Sequence, residues 1–174
     1  GKRVLVIDTL STGPEIALAI EKVEELVEAG MPYEEICKSI TQYMKRTGLL
    51  FMLKSLKSLA NNGRVSPIAA KLVGIVGIGV VGKASNEGTL EQMHKCRGER
   101  RALETIVTDL EAEGFRSGKI SIGHCRNESA ALQLKELILS KFKNAMIEIH
   151  KLRGLCSFYA ENGGVLVGFE KAPV

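Results

Sequence analysis

The amino-acid sequence predicts an α/β protein, and the order of its first three elements carries this prediction. Residues 4–7 form a continuous apolar run that ends at Asp8, which is typical of a buried strand. Apolar residues at helical spacing follow over residues 16–27, and a second helix is predicted to begin after Pro32 and to end near Gly48. A strand followed by amphipathic helices is typical of an α/β layer.

The rest of the chain continues this alternation of helices and strands. Residues 49–53 are apolar and predict a strand, and a short helix follows that Asn61-Asn62-Gly63 ends. The further predicted elements are, in chain order, a helix from Pro67, a hairpin of residues 80–84 and 89–94 around the turn 85–88, a helix over 99–113, a strand over 119–123, a helix over 129–142, and strands over 145–149, 154–159 and 165–169. The composition changes near Gly48, which is the one candidate domain boundary.

Charge and aromatic content argue against a nucleic-acid-binding protein. Lys and Arg number 24 and Asp and Glu number 20, so the net charge is +4, and it is spread along the chain. Only 5% of the residues are aromatic and there is no Trp, which leaves few rings on which bases could stack. The longest apolar run, residues 69–81, is interrupted by a lysine and by glycines and is shorter than the roughly 20 residues of a membrane helix. The sequence therefore predicts no nucleic-acid partner and no membrane span.

The cysteines and histidines do not indicate a metal site. No two cysteines form a CxxC pair, which argues against a zinc ribbon and favours a reducing, cytoplasmic location. The four cysteines are Cys37, Cys96, Cys125 and Cys156. The histidines lack the spacing of metal ligands on one helix, and we interpret His124 as a structural cap of the helix that follows it.

Two motifs leave alternatives open. Gly77, Gly79 and Gly82 match the GxGxxG dinucleotide fingerprint, but a hairpin rather than a helix is predicted to follow them. We therefore favour glycines that permit close packing of a strand. Residues 94–101 contain four Lys or Arg just before a helix, and they either bind an anion or form a solvated basic turn. Arg64 follows the turn at Asn62-Gly63, and helix capping explains the neighbouring residues but gives no role to the Arg64 side chain.

Several segments, in the correct order, resemble the DegV family of bacterial fatty-acid-binding proteins. They span the chain and match the family's pattern piece by piece. These segments are residues 4–8 with Gly13, residues 25–26 with 30–36 (Gly-Met-Pro-Tyr-Glu-Glu-Ile), residues 56–66 (ending Asn-Asn-Gly-Arg-Val-Ser), residues 86–90 with 95–103, residues 122–124 with 127–130, and residues 159–169.

The resemblance implies a domain organisation and a function. Residues 49–174 would form a two-layer α/β domain with a mixed sheet of about six strands, which binds the lipid. Residues 1–48 would be the strand–helix–helix tail of a first α/β domain, so the chain resembles the C-terminal portion of such a protein, with its N-terminal domain missing. Members hold a long-chain fatty acid in a buried apolar tunnel and present its carboxylate to a fatty acid kinase, without a cofactor other than this ligand.

The resemblance also suggests site residues, although the chain departs from the family pattern. Tyr159 stands where the family has a histidine, and Glu161-Asn162 replaces a Gly-Pro, so a divergent subgroup is indicated. The candidates near the head group are Tyr159, Arg97, Gly163 and Gly164. The candidates for the tunnel lining are Leu72, Ile75, Val76, Ile78, Val80 and Leu90. Arg64 is the candidate for loop ordering or partner docking, and neither a catalytic residue nor a metal ligand is predicted.

Two other functions remain possible on the sequence. The first is a phosphotransferase-like enzyme subunit that acts on a phosphate near the glycine-rich segment and Arg97. The second is a protein-interaction module that only scaffolds a kinase. Stabilisation by oleate but not by ATP would separate the lipid carrier from the enzyme.

Overall fold

The computed structural model describes residues 3–65 and 77–172. Within them the helices are α1 (Pro14–Glu28), α2 (Tyr33–Met44), α3 (Lys57–Asn61), α4 (Glu99–Ala112), α5 (Glu128–Lys141) and α6 (Gly154–Ala160). The strands are β1 (Thr47–Leu53), β2 (Ile78–Ala84), β3 (Leu90–Arg97), β4 (Gly118–His124), β5 (Ala145–Lys151) and β6 (Val165–Glu170). The helix predicted from Pro67 lies outside the described residues.

The six strands form one mixed sheet in the order β3-β2-β1-β6-β4-β5. β4 and β5 are parallel, and the other neighbouring pairs are antiparallel. This sheet confirms the predicted α/β class and the mixed sheet of about six strands. None of the helices in the described part of the chain is long and apolar enough to cross a bilayer.

Alternating residues of the strands build a separate apolar layer on each face of the sheet. On one face Leu50, Met52 and Val167 pack with the buried sides of α4 and α5. On the other face Leu49, Phe51, Leu53 and Leu166 form a second cluster, to which Ala160 of α6 belongs. α1 lies on this second face against β6 and β4. A Cβ on Gly168 would come within 2.5 Å of the Glu15 backbone nitrogen, so glycine is needed for this close approach.

The predicted strand over residues 4–7 is wrong. These residues form no ladder with any described strand, and Val4 and Val6 are 79% and 87% exposed. An apolar run forms a strand only when a neighbouring strand accepts its backbone hydrogen bonds, and the described sheet does not extend to this segment.

The predicted strand over residues 154–159 is wrong as well, because this segment is helix α6. Both hydrogen-bonding sides of β6 are taken by β1 and β4, so the sheet has no position for another strand there. A short apolar run does not by itself distinguish a strand from a short helix. Here the helical turn closes with a hydrogen bond from the Glu161 backbone nitrogen to the Ser157 carbonyl oxygen.

The predicted hairpin is confirmed, and with it the packing role of Gly82. β2 and β3 pair around the turn that follows Ala84, so no helix follows Gly82 as a dinucleotide site would require. A Cβ on Gly82 would lie 2.2 Å from the Glu91 carbonyl oxygen and 2.5 Å from the Phe51 ring. The missing side chain of Gly82 therefore allows β3 and the Phe51 ring to pack closely against β2.

Candidate functional site

A cavity of about 550 Å³ opens on the second face of the sheet. Its floor comes from alternate residues of β1, since Leu49, Phe51 and Leu53 all point to this face, and from Leu166 of β6. Ala160 at the end of α6 closes the floor. The strand pattern thus places aliphatic and aromatic surface at the bottom of the cavity.

Four segments form the walls above this floor. They are the loop of residues 8–12, the end of α3 with the turn after it, the hairpin turn, and one side of α6. The lining residues from these segments are Asp8, Thr9, Leu10, Ser11, Thr12, Leu59, Gly63, Arg64, Ala84, Glu87, Gly88, Thr89, Leu90, Leu155, Cys156 and Tyr159.

Hydrogen bonds hold the loop of residues 8–12 in place. Thr12 Oγ1 lies 3.1 Å from Cys156 Sγ, which joins the loop to α6. The Leu10 backbone nitrogen donates to Asp8 Oδ1 at 3.1 Å, and Leu10 has a positive φ of 49°. A Cβ on Gly88 would lie 3.3 Å from the Leu10 side chain, so the hairpin turn packs against the loop.

A buried carboxylate supports the same loop from behind. Glu15, at the start of α1, is 5% exposed. It accepts hydrogen bonds from the hydroxyls of Ser11 and Thr47, the latter at 2.6 Å. Ser11 lines the cavity, whereas Glu15 and Thr47 lie behind the wall.

The charge on the cavity is mixed. Among the described lining residues, Arg64 is the one cation, and Asp8 and Glu87 are the acids. Ligand sites are typically apolar cavities of roughly 300–1,000 Å³ with a few polar groups that orient the ligand. An apolar floor with hydroxyls and a guanidinium on the described walls suits an amphiphile with a long apolar tail.

The structure brings three of the predicted site residues together in this cavity. Tyr159 lines the cavity from α6, Leu90 from the hairpin, and Arg64 from the turn after α3. Tyr159 belongs to the last turn of α6, and its ring meets the Phe158 ring edge-on at a centroid distance of 5.1 Å.

Two further predicted lining residues, Val80 and Ile78, do not line the described cavity. Val80 is fully buried in the apolar cluster of this face but is not a lining residue. Ile78 begins β2, where it pairs with Arg97 of β3. Leu72, Ile75 and Val76 lie outside the described residues.

Two of the predicted head-group residues use their backbone N–H groups within the fold. The Gly163 nitrogen donates to the Cys125 carbonyl oxygen at 2.8 Å, and the Gly164 nitrogen donates to the Glu161 carbonyl oxygen at 3.3 Å. Neither glycine lines the cavity. Arg97 is exposed at the end of β3, also outside the cavity.

A polar network surrounds Gly163. Asn127 Nδ2 donates to the Gly163 carbonyl oxygen at 2.9 Å and to Glu99 Oε2 at 2.7 Å, and Lys54 Nζ lies 2.6 Å from the same Glu99 oxygen. Burial acts to raise the pKa of Glu99, but the hydrogen bonds from Lys54 and Asn127 outweigh it and hold this pKa below its usual value. The network connects β1, α4, α5 and the turn before β6.

The interpretation of His124 as a cap is confirmed. His124 is 3% exposed, and its Nδ1 accepts a hydrogen bond from the Asn127 backbone nitrogen at 3.2 Å, directly before α5. Within the described ranges, no three His, Cys, Asp or Glu side chains converge as metal ligands would.

Sequence reasoning missed the loop of residues 8–12, Glu15 and the floor of the cavity. The alternation of Leu49, Phe51 and Leu53 within a predicted strand was a usable signal, because such residues share one face. The sequence contains no comparable signal for the loop. Its place on the cavity depends on contacts with α6 and the hairpin turn, which are distant in the chain.

Comparison with known proteins identifies relatives over nearly the whole chain. The family model described as "Uncharacterised protein, DegV family" matches residues 1–172. A DegV domain-containing protein of Streptococcus pyogenes serotype M1 is 41% identical over 165 residues, which are 95% of this chain and 59% of the relative. A DegV domain-containing protein of Streptococcus pneumoniae strain R6 is 41% identical over 168 residues, 97% of this chain and 60% of the relative.

Two solved structures have the same fold. A DegV family protein from Eubacterium eligens loaded with heptadecanoic acid has a TM-score of 0.95 at 39% identity, covering 98% of this chain and 62% of that one. The Fatty Acid Kinase (Fak) B3 protein of Streptococcus pneumoniae loaded with linoleic acid also has a TM-score of 0.95, at 40% identity, covering 98% of this chain and 60% of that one. This chain therefore spans about three fifths of the length of the relatives that it matches, and it belongs to the DegV family.

Proposed function

We propose that this protein binds a long-chain fatty acid in the cavity between the loop of residues 8–12, α6 and the hairpin turn. The observation that carries this proposal is the apolar floor of Leu49, Phe51 and Leu53 under a wall that includes Arg64. A saturated tail gains about 0.8 kcal/mol for each CH₂ group that it buries on such a floor. The fatty acids in the two similar structures support the proposal.

In this proposal the protein is a carrier and not an enzyme, and it presents the fatty-acid carboxylate to a fatty acid kinase. The similarity to the Fatty Acid Kinase (Fak) B3 protein supports this partner. The chain covers 60% of that protein, and we propose that a further, N-terminal domain completes the site next to the loop of residues 8–12. All four cysteines are free thiols, as expected in a reducing cytoplasm.

Tyr159 and Arg64 are the residues to which we assign the head group within the described cavity. A phenol hydroxyl and a guanidinium both donate hydrogen bonds to a carboxylate. Arg97, exposed on β3, is better placed for contact with a partner than for contact with the ligand.

Thermal unfolding of the intact protein tests the proposal. Ligands that bind the native state raise the midpoint temperature with concentration. Oleate should therefore raise the midpoint and ATP should leave it unchanged. The shift should disappear in Leu90→Glu, which places a charge in the cavity wall, and persist in the matched control Leu132→Glu, whose site is 50% exposed on α5. A shift with ATP, or none with oleate, would contradict the proposal.

A further inference from the structure

Glu15 places a negative charge directly behind the wall of the cavity. Its two carboxylate oxygens accept hydrogen bonds from Ser11 and Thr47, and no Lys, Arg or His within residues 3–65 and 77–172 forms an ion pair with it. The charge is therefore compensated by two hydroxyls and by the N-terminal end of α1. No cation of the described residues pairs with it, so its field acts on whatever occupies the cavity next to Ser11.

The Glu15 carboxylate also determines what Ser11 can offer to a ligand. A serine hydroxyl has one proton to donate, and an ionised carboxylate only accepts. Ser11 therefore donates its hydroxyl hydrogen bond to Glu15, and it can only accept hydrogen bonds from a group in the cavity. The carboxylate of a fatty acid is itself an acceptor, so Ser11 cannot bind it by a hydrogen bond.

We propose that Glu15 is a specificity-determining residue of the cavity, which excludes the fatty-acid carboxylate from the wall formed by Ser11. This inference rests on the proposed function, because it concerns the same ligand. The wall at Ser11 accepts hydrogen bonds and carries negative potential from Glu15. The ligand carboxylate is thereby directed to donors elsewhere on the wall, and we assign it to Arg64, the one cation among the described lining residues, and to Tyr159. Glu15 acts through Ser11 and through its field without touching the ligand.

The substitution Glu15→Gln tests the inference, because it keeps the shape of the side chain and removes the charge. The amide can donate to Ser11, which frees the Ser11 proton to face the cavity. Removing a like charge from behind the wall lowers the electrostatic repulsion on a carboxylate bound elsewhere in the same cavity. We expect Glu15→Gln in the intact protein to bind oleate at least about tenfold more tightly than the wild type.

Two controls separate this charge effect from a change in packing. The first is oleyl alcohol, which has the same tail and no charge, so Glu15→Gln should change its affinity by less than about twofold. The second is Glu28→Gln, which removes the same charge from the exposed far end of α1, roughly 20 Å away, and should leave oleate binding unchanged. Equal tightening of oleate and oleyl alcohol, or no tightening of oleate, would overturn the inference.

A second variant keeps the inference testable if Glu15→Gln does not fold. Arg64→Gln removes the cation to which we infer that the carboxylate is directed, so oleate should bind at least about tenfold more weakly while oleyl alcohol changes by less than about twofold. A smaller loss of oleate affinity, or an equal loss for both ligands, would overturn the inference. If the wild type binds oleate and these variants contradict the inference, the carrier function stands. If the wild type binds neither oleate nor oleyl alcohol, the proposed function fails as well.

Discussion

Lys119 in β4 donates a hydrogen bond from Nζ to Glu25 Oε1 in α1 at 2.7 Å, across 94 residues of sequence. The same ammonium group lies 3.1 Å from Glu21 Oε2. The ion pairs join the helix of the cavity face to the sheet beneath it. The hydrogen bond from Lys119, followed by that from Lys22, lowers the pKa of Glu25, and the hydrogen bond to Glu25 raises the pKa of Lys119.

The Lys119→Met substitution should lower the free energy of unfolding by up to about 1 kcal/mol at pH 7, the range of surface ion pairs. Because the pKa of Glu25 is lower in the folded state, the unfolded chain binds the proton more readily. The contribution of the pair is thus present above the ordinary Glu pKa of 4.5 and is lost as the pH falls through the lower folded value. The free energies of unfolding of wild type and variant, measured by urea denaturation, should therefore converge at acidic pH. A difference in free energy of unfolding that does not depend on pH would contradict this prediction. Lys38→Met, which makes the same substitution at an exposed site of α2, is the matched control.

Gly82→Ala should destabilise the protein far more than Gly79→Ala. The new Cβ would lie 2.2 Å from the Glu91 carbonyl oxygen, whereas at Gly79 the nearest contact would be 3.7 Å, to the Leu53 carbonyl oxygen. Overpacking of this kind costs about 1–3 kcal/mol, and Gly79→Ala should cost less than about 1 kcal/mol. Urea denaturation midpoints measure both. Equal effects would argue against packing as the reason for Gly82.

Tyr159→Phe should weaken oleate binding by the intact protein without loss of stability. The substitution keeps the ring that packs against Phe158 and deletes the hydroxyl that we assign to the ligand carboxylate. A hydrogen bond to a charged group contributes roughly 1.5–3 kcal/mol, or about ten- to a hundredfold in affinity. Titration calorimetry measures the change, with Tyr33→Phe as the control outside the cavity. An unchanged affinity would leave Tyr159 as a packing residue.

Arg97→Ala should affect partner coupling and not ligand capture. Arg97 is exposed outside the cavity, so the oleate affinity of the variant should stay within about twofold of the wild type. A guanidinium binds carboxylates and phosphates in a bidentate manner that an ammonium cannot. The rate of kinase-dependent phosphorylation of bound oleate should therefore fall more in Arg97→Ala than in Lys95→Ala. If both substitutions leave the phosphorylation rate nearly unchanged, this segment is only a solvated basic turn.

The elements with strong periodicity could be predicted from the sequence because their signals are local. The long helices α1, α4 and α5, the strands β1, β4, β5 and β6, and the β2–β3 hairpin all match predictions within a few residues. The sequence alone also indicated the capping role of His124 and the packing role of Gly82. The DegV family could be predicted as well, because its motifs depend only on the order of residues along the chain.

Only the tertiary structure decided which residues meet at the cavity. Residues 4–7 have the composition of a strand, but no described strand pairs with them, and residues 154–159 became a helix because β6 already has two neighbours. Thr12 meets Cys156 across 144 residues, and Thr47 meets Glu15 across 32. Hydrogen-bond partners and strand neighbours are properties of the assembled sheet, whereas periodicity and capping signals extend over only a few residues of chain. The sequence by itself therefore determined the class, the family and most elements, and the packing of α1, α6 and the hairpin turn on one face determined the site.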